Sequence, residues 1–461
     1  KHLFQFRRED LKKRSPKDIT PPRVNERWPV ISARTGVASK EIRTVTIDPR
    51  PFTPLSVHSQ VNDARHGHVV GAEQNISVWS ASRLHDWARC PRAGWLGRGL
   101  YADVEDLQTE DLDARTHGDL FHNVHHDLLC KILNFEMGGD REIDFSIDSK
   151  IPLSIAKSGI NEEEIMKIAL EVLDDRAPWL NRSDAVSTNR VRMMTGMNLR
   201  EWMNWTPNPQ PTPIAGRIGR MIREELKLTG AIPLALEWEL INHDERGIEI
   251  ELPAEITIPN GEALPSLRLR GMIDRVDLLS FDENESIWFD AEGSETIAPL
   301  KIIGTDWKPR RLIAIRDLKT SESTKVTDRH AKGLLEELQL ALYARAWEIA
   351  HPGDLVVAAG ISVLGHKTTH LIEISNRFNP TNEGASFGNR TSITHDRYRF
   401  KNENNDPQSD PLRAWLAARI SVALGVANGA KNGRVHPTPS QDACKFCRVA
   451  EICDVNLKED N

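Results

Sequence analysis

Two aspartates and a lysine lie within apolar stretches, where charged side chains are uncommon. The run Arg311–Lys319 reads as a strand, and because side chains alternate between its faces, Asp317 and Lys319 share one face. Asp274 lies in a second apolar strand and shares its face with Val276. Two carboxylates on neighbouring strands are the oxygen ligands that a hard divalent cation such as Mg²⁺ prefers. The pattern therefore predicts a site for a divalent metal.

Such a site has a definite chemistry. A water bound to the metal becomes more acidic, and a nearby lysine would steer it toward a phosphodiester. Two structural alternatives stand beside this hypothesis: Asp317 and Lys319 would form a surface ion pair at a strand end, and Asp274 would form a salt bridge with Arg275 or Arg316.

Two predicted helices carry further candidates. His122 lies in an amphipathic helix over 118–129 and would supply a nitrogen ligand to the same metal. A lone helix histidine is more often structural, and a zinc site formed with His126 is a second alternative. Gln339 and Tyr343 lie four residues apart, so they share a helix face; the alternative is an ordinary polar strip.

The cysteines give the most specific pattern. Cys444 and Cys447 form a C-x₂-C pair, and Cys453 follows closely. Three thiolates require a fourth ligand, and Cys90 is the natural candidate, whereas Cys130 lies in an apolar helix end and is interpreted as a buried small residue. A metal at these four residues would close a loop of roughly 350 residues. Both zinc and an iron–sulfur cluster suit four cysteines.

Composition indicates a folded globular chain. The formal net charge is −7 and charged residues make up 28%, which excludes a protein that coats nucleic acid but not a nuclease with a local basic groove. No apolar run is long enough to span a membrane, and no signal-peptide pattern follows Lys1. We therefore expect an intracellular protein, in the cytoplasm or the nucleoid. Because the sequence begins with Lys1, we also expect it to be a fragment or a processed product. No phosphate-binding loop of the Walker type occurs, so we expect no ATP hydrolysis.

The elements that must position these residues form a mixed α/β domain. Residues 1–75 are rich in proline and predict an extension or linker, and residues 76–461 predict the domain. The periodicity predicts helices near 82–96, 118–129, 161–174, 190–204, 214–228, 334–349 and 412–427. It predicts strands over 234–241, 248–258, 267–279, 311–318, 355–364 and 369–374.

Taken in order, these fragments resemble the iron–sulfur branch of the RecB-like PD-(D/E)XK nucleases, which includes the AddB nuclease domain and exonuclease V. The resemblance covers about residues 80–455 and is carried by Ser82-Arg83-Leu84, Cys90-Pro91, Gly118 with His122, Gly271-Met272-Ile273-Asp274, Asp317-Leu318-Lys319, Gln339 with Tyr343, and Cys444, Cys447 and Cys453. It implies a restriction-endonuclease-like mixed sheet flanked by helices, with a helical insertion and a four-cysteine staple.

The resemblance also implies residue roles. His122, Asp274 and Asp317 would bind catalytic Mg²⁺ or Mn²⁺, with the Leu318 carbonyl as a further ligand. Lys319 would orient the nucleophile. Gln339 and Tyr343 would support the site and contact the DNA strand, and a [4Fe–4S] cluster would be held by Cys90, Cys444, Cys447 and Cys453. Glu237 would be an extra acid.

One departure from the family is the long stretch between Asp274 and Asp317, where a short hairpin is usual. We interpret 281–310 as an insertion, with two more near 140–230 and 376–410.

The expected activity is a DNA nuclease that prefers single strands or free ends and acts as an exonuclease or in DNA-end processing, with a helicase subunit or upstream helicase domain as partner. Basic and aromatic residues near the cysteines would hold the strand, namely Arg83, Arg89, Arg92 and Trp95. The alternative is a catalytically silent module that binds DNA ends or a partner.

Overall fold

The structure is a computed structural model of the 461-residue chain. It describes residues 75–102, 114–133, 154–178, 194–195, 216–242, 245–252, 265–279, 311–320, 325–352, 354–365, 370–375, 386–398, 410–438, 441–445, 447–450 and 452–453. The predicted extension over 1–75, apart from residue 75, and the predicted insertion over 281–310 lie outside these ranges. So do most of the predicted helix 190–204 and most of the segment 376–410.

A six-stranded mixed sheet forms the centre of the fold, in the order β11-β10-β9-β8-β7-β2. Its strands are β2 (Ala231–Glu239), β7 (Met272–Leu279), β8 (Arg311–Lys319), β9 (Asp354–Val363), β10 (Leu371–Ile374) and β11 (Asn389–Arg390). β8 and β9 are parallel, whereas β7 is antiparallel to both β2 and β8. The side chains of β8 and β9 are almost continuously buried, as expected for strands covered on both faces.

Two smaller sheets flank the large one. β1 (Trp79–Ser80), β5 (Ile248–Ile250) and β6 (Leu267–Arg270) form a three-stranded sheet in the order β1-β6-β5. β3 (Ile241–Asn242) and β4 (Glu245–Arg246) form a short hairpin. The predicted strand 267–279 is therefore wrong as one element, because the chain passes from one sheet to another at Gly271.

The helices form two layers. The first is α1 (Ala81–Arg89), α2 (Pro91–Gly94), α6 (Val326–Leu335), α7 (Gln339–Ala350), α8 (Ile393–Tyr398), α9 (Pro411–Lys431) and α10 (Gln441–Lys445). The second is α3 (Ala114–Leu133), α4 (Glu162–Arg176) and α5 (Gly216–Glu225). Short π-helical and 3₁₀ turns cover Trp95–Gly99 and Ile155–Lys157.

Each layer has its own hydrophobic core. The main core joins α1, α7 and α9 to the sheet. The core of α3, α4 and α5, called here the second core, receives Leu236, Leu318 and Leu364 from the sheet strands and the residue after β9. The structure describes part of the predicted insertion 140–230. That part packs in the second core and so belongs to the folded domain.

Local sequence explains where several helices begin. The Ser80 hydroxyl accepts the Arg83 N–H at the start of α1, and Asp410 caps α9 ahead of Pro411. The predicted helix 334–349 is wrong as a single element, since the chain turns at 336–338 between α6 and α7. This break places Gln339 in the first turn of α7. No helix within the described ranges has the length and apolar character that crossing a bilayer requires.

Candidate active site

Asp274 and Asp317 lie opposite each other at the ends of two paired strands. The antiparallel register of β7 and β8 pairs Val276 with Ile315 and Arg275 with Arg316, so one further step on each strand reaches the two aspartates. At this step the backbone N–H of Leu318 donates to Asp274 Oδ2 at 2.7 Å. The sequence predicts that these two residues lie close together, and the pairing of β7 with β8 places them so.

Lys319 forms a close ion pair with Asp317. Its Nζ donates to Oδ1 at 2.7 Å and lies 2.6 Å from Oδ2. The Asp317 side chain is 1% exposed and that of Lys319 is 27% exposed, so the ammonium group connects the buried carboxylate to solvent. Only the Oδ1 contact has hydrogen-bond geometry, and within the described residues the buried Oδ2 has no hydrogen-bond partner. The alternative of a surface ion pair fails because Asp317 is buried.

The carboxyl groups are held in an environment that disfavours their charge. Burial and the neighbouring Asp274 raise the pKa of Asp317 to about 6, against the lowering effect of Lys319. Burial likewise raises the pKa of Asp274. Burial alone would lower the pKa of Lys319, but the Asp317 and Asp274 carboxylates outweigh it and raise that pKa. A divalent cation would relieve this excess of buried negative charge.

His122 lies at the same place, on the α3 side of the sheet end. Burial and the nearby Lys319 ammonium lower the pKa of its imidazole, while Asp317 and Glu237 raise it less. The imidazole is therefore held neutral, the form that binds metals. Its neighbour His126 instead contacts the Asp127 carboxylate at 3.0 Å.

Gln339 and Tyr343 support the strand that carries Asp274. The Tyr343 hydroxyl is hydrogen-bonded to the backbone of Met272 and to the Gln339 side chain, and burial raises its pKa. The same hydroxyl lies 2.8 Å from the position that a Cβ on Gly271 would occupy. Glycine is required there because the hydroxyl approaches the backbone so closely. Tyr343 thus contacts the backbone and Gln339 contacts Tyr343, and the predicted contact of both residues with DNA stays a prediction.

The arginines next to the site have other partners. Arg275 donates to Asp277 at 2.7 Å and to Glu225, and Arg316 donates to the other oxygen of Asp277. Although burial alone would raise the pKa of Glu225, the Arg275 guanidinium holds it well below its usual range. The alternative that Asp274 is neutralised by these arginines is therefore wrong, and they form a separate buried charge network.

Arg217 is a residue that the sequence analysis missed. It is 3% exposed, stacks over the Phe121 ring at 4.7 Å and donates to the Thr320 and Leu364 carbonyls at 3.3 and 3.0 Å. It thereby joins α5 and α3 to the residues that follow β8 and β9. No local pattern announces this role, because the contacts cross more than a hundred positions of sequence.

The start and end of the fold meet beside the cysteines. Cys90 and Cys447 line one cavity of about 210 Å³, together with the side chains of Arg89, Arg98 and Arg448. The Thr438 N–H donates to Cys90 Sγ at 3.4 Å. Burial raises the pKa of the Cys447 thiol, and the nearby Cys90 and Cys444 add to this effect.

Other cysteines and basic residues are also placed by the structure. Cys453 is partly buried, and its backbone N–H donates to the Ala450 carbonyl at 3.4 Å. Cys130 lies on α3, where its Sγ is 3.5 Å from His126 Nε2. The prediction that Arg92 helps to hold a DNA strand is wrong, because its side chain is buried and donates to the Val435 carbonyl at 2.9 Å.

Neither the aspartate site nor the cysteines form a complete metal cage among the described residues, so the predicted four-cysteine cluster stays a prediction. In the parts of the chain that the structure describes, no three His, Cys, Asp or Glu side chains are gathered closely enough to hold an ion. Mg²⁺ needs only one or two carboxylates because it keeps several waters. The Asp317 carboxylate, paired with Lys319, and the adjacent Asp274 carboxylate fit that requirement.

The arrangement defines a class of site: two carboxylates and a lysine on adjacent strands of a mixed sheet flanked by helices. Residues 305–454 match the family model described as the PD-(D/E)XK nuclease superfamily. This stretch is a PD-(D/E)XK nuclease superfamily domain and contains Asp317, Lys319 and the three C-terminal cysteines, whereas Asp274 and His122 lie before it. The predicted fold class, a mixed sheet flanked by helices, is thereby confirmed, whereas the four-cysteine staple stays a prediction. No curated protein matches the chain.

Proposed function

We propose that the chain is a metal-dependent DNA nuclease that hydrolyses phosphodiester bonds at the Asp274–Asp317–Lys319 site. The observation that carries this proposal is the proximity of both aspartates and the lysine, with a neutral His122 close by, at the ends of two central strands. The superfamily match supports it, because members of this superfamily are generally nucleases that use Mg²⁺ or Mn²⁺.

The donor set fits a small divalent cation. Asp317 offers a buried oxygen without a hydrogen bond among the described residues, and Asp274 offers a second carboxylate opposite it. His122 is available as a neutral nitrogen donor, and the Leu318 carbonyl stays a candidate ligand. When bound, the ion would supply Lewis acidity and a water of lowered pKa.

Each residue then has a defined task in hydrolysis. The water oxygen forms a bond to phosphorus and loses a proton to solvent, the bond from phosphorus to the leaving sugar oxygen breaks, and that oxygen takes up a proton from solvent. Lys319, held by Asp317, donates hydrogen bonds to the attacking water or to the phosphate oxygens that gain charge. Tyr343 and Gly271 keep the start of β7 in place, so that Asp274 stays opposite Asp317.

The same proposal includes a [4Fe–4S] cluster held by Cys90, Cys444, Cys447 and Cys453. Support comes from the shared cavity of Cys90 and Cys447 and from the influence of Cys90 and Cys444 on the Cys447 thiol. The cluster would be structural. Zinc at the same four residues is the alternative.

We further propose a substrate with free ends, held as a single strand, and a role in DNA repair or recombination beside a helicase. Three arginines line the cysteine cavity, namely Arg89, Arg98 and Arg448. They support the proposed substrate because their positive charge attracts a polyanionic strand. Asp86 also lines this cavity, and its carboxylate lies 2.8 Å from the Arg98 guanidinium.

The proposal is tested by Mg²⁺- or Mn²⁺-dependent cleavage of end-labelled single strands, some blocked at the 5′ end and some at the 3′ end. Asp317→Asn and Lys319→Met should each lower the cleavage rate by about 10²-fold or more, because each removes a group needed for the transition state. Asp396→Asn and Lys131→Met, at exposed positions, should cleave like the parent. The blocked substrates report polarity and the exonuclease character.

The alternative, a catalytically silent module that binds DNA ends or a partner, predicts that no substrate is cleaved. A parent protein that binds DNA ends but leaves every substrate intact with either metal would replace the nuclease proposal with that alternative. Cleavage that is equally fast in the parent and in Asp317→Asn would place the chemistry elsewhere.

A further inference from the structure

Met272 exposes an apolar side chain at the start of β7. It is 44% exposed, whereas the other residues of this strand are buried or half-buried. Single exposed apolar residues are common on protein surfaces, so exposure alone indicates no function. The position of Met272 does, because it lies two residues before Asp274. Alternate residues of a strand share a face, so the two side chains project on the same side, about 7 Å apart along the strand.

The backbone that carries Met272 is held on two sides. On one side, the Tyr343 hydroxyl of α7 is hydrogen-bonded to the Met272 backbone. On the other side, Met272 pairs with Glu239 of β2. The neighbouring Leu240 N–H donates to the Gly271 carbonyl at 3.0 Å. The exposed side chain is thus presented from a fixed backbone, so this segment loses little conformational freedom when a ligand binds.

The charges around Met272 differ between its two ends. Toward the candidate site lies Asp274, and the exposed Glu239 lies across the strand pair. Away from the site, Arg270 ends β6 with an exposed side chain. The carboxylates repel a DNA phosphate unless a cation lies between them, but they do not repel an uncharged nucleobase. The segment therefore offers, in order, a carboxylate at the proposed metal site, an apolar contact and a cation.

We propose that this segment binds one unpaired nucleotide next to the scissile phosphate, with Met272 contacting its nucleobase and Arg270 contacting the phosphate beyond it. The inference rests on the proposed function and identifies a nucleotide subsite beside the reacting phosphate. Methionine packs favourably on aromatic rings, and apolar side chains of this kind insert between stacked bases in DNA-binding proteins. A base within a duplex is covered by its stacked neighbours, so only an unstacked nucleotide presents its face to Met272.

The nucleobase contact is tested by DNA affinity in the Asp317→Asn background, in which the DNA stays intact, with Mg²⁺ present. Fluorescence anisotropy gives Kd for single strands that carry an abasic site at each position from either end in turn. Met272→Ala should raise Kd for the unmodified strand about 3- to 10-fold. One abasic position should raise Kd by a similar factor when Met272 is present, and the two losses should not multiply when combined. Met272→Leu should retain most of the affinity, because leucine also packs apolar atoms against a base.

The phosphate contact is tested by Arg270→Gln. Each phosphate contact to a single strand contributes about 0.7 to the slope of log Kd against log salt concentration, so this slope should fall by about that amount. Arg390→Gln should keep the parent slope and is the matched control, since Arg390 is exposed on β11, at the opposite edge of the six-stranded sheet from β2. An unchanged slope in Arg270→Gln would overturn the phosphate contact.

The outcomes separate this inference from the proposed function. The KM for cleavage by the parent and by Met272→Ala alone gives the same comparison without the Asp317→Asn change. A parent that cleaves DNA, with a Met272→Ala protein that binds every strand as the parent does or loses the same factor on all abasic strands, would overturn the role of Met272 alone. A parent that neither binds nor cleaves single strands would overturn both the proposed function and the nucleotide subsite.

Discussion

At the scale of single residues, the Asp317 carboxylate is buried and its negative charge is only partly neutralised. Lys319 neutralises it on one side, yet the pKa of Asp317 is still raised to about 6 by burial and by Asp274. A carboxyl whose folded pKa exceeds its unfolded value binds its proton more tightly in the folded state. The stability it contributes is therefore present at low pH and is lost as pH rises through about 6.

Asp317→Asn should therefore stabilise the metal-free protein above pH 7, by about 1–3 kcal/mol, because an amide removes the buried charge. At pH 4 most of this gain should be absent, since the folded carboxyl is then protonated and about half of the unfolded carboxyls are too. Urea unfolding with a chelator at pH 4 and pH 8 measures both values, with Asp396→Asn as the exposed control. An Asp317→Asn protein that is less stable than the parent at pH 8 would contradict this account.

The placement of the candidate site residues was largely predictable from the sequence, whereas their chemical roles stay predictions. The spacing of Asp317 and Lys319 on one strand face and the position of Asp274 in an apolar run both survive in the structure. The backbone of Glu237 was not accessible, because a positive φ at a glutamate leaves no mark on the sequence. The pairing of the arginines with Asp277 was also hidden, since the choice among several nearby carboxylates depends on the strand register.

At the scale of elements, helices and strands were predicted well where periodicity was strong, and poorly where tertiary contacts divide a run. The run 334–349 contains the end of α6, a turn at 336–338 and most of α7. The run 267–279 is divided because Tyr343 occupies the space that a side chain at Gly271 would need. Neither break has a proline to announce it.

The second helical layer fixes the end of the strand that carries Lys319. Arg217 on α5 donates to the Thr320 carbonyl, next to Lys319, and to the Leu364 carbonyl after β9. Its guanidinium also covers Phe121, next to His122. The buried Arg217 side chain thus contacts the chain on both sides of the candidate site. Its loss should lower the cleavage rate more than the affinity for DNA.

Arg217→Met should leave two buried carbonyls without this donor and lower the free energy of unfolding by about 2–4 kcal/mol. The cleavage rate at saturating DNA should fall about 10-fold or more, since small displacements of catalytic groups are costly. Arg223→Met, on the same helix with its side chain 44% exposed, is the matched control. Unchanged cleavage by a destabilised Arg217→Met protein would show that Arg217 serves stability only.

At the scale of the whole molecule, helices α1 and α2 are joined to the segment after α9 beside the cysteines. The Thr438 hydroxyl donates to the Arg89 carbonyl at 2.8 Å, and Arg92 donates to the Val435 carbonyl. Helix α9 packs against α1 through the main core. Direct protein contacts therefore bring the two ends together, and a metal at Cys90 and Cys447 would add to a connection that already exists.

The role of a metal in this connection is tested by Cys90→Ser. We expect the parent to contain iron and acid-labile sulfide, and the variant to lose both together with several kcal/mol of unfolding free energy, since the metal closes a very long loop. Cys130→Ser is the matched control because Cys130 lies on α3 beside His126, away from the cavity of Cys90 and Cys447. Stoichiometric zinc without iron in the parent would establish the zinc alternative. A metal-free parent as stable as one purified with iron would leave the protein contacts alone to hold the two ends of the fold together.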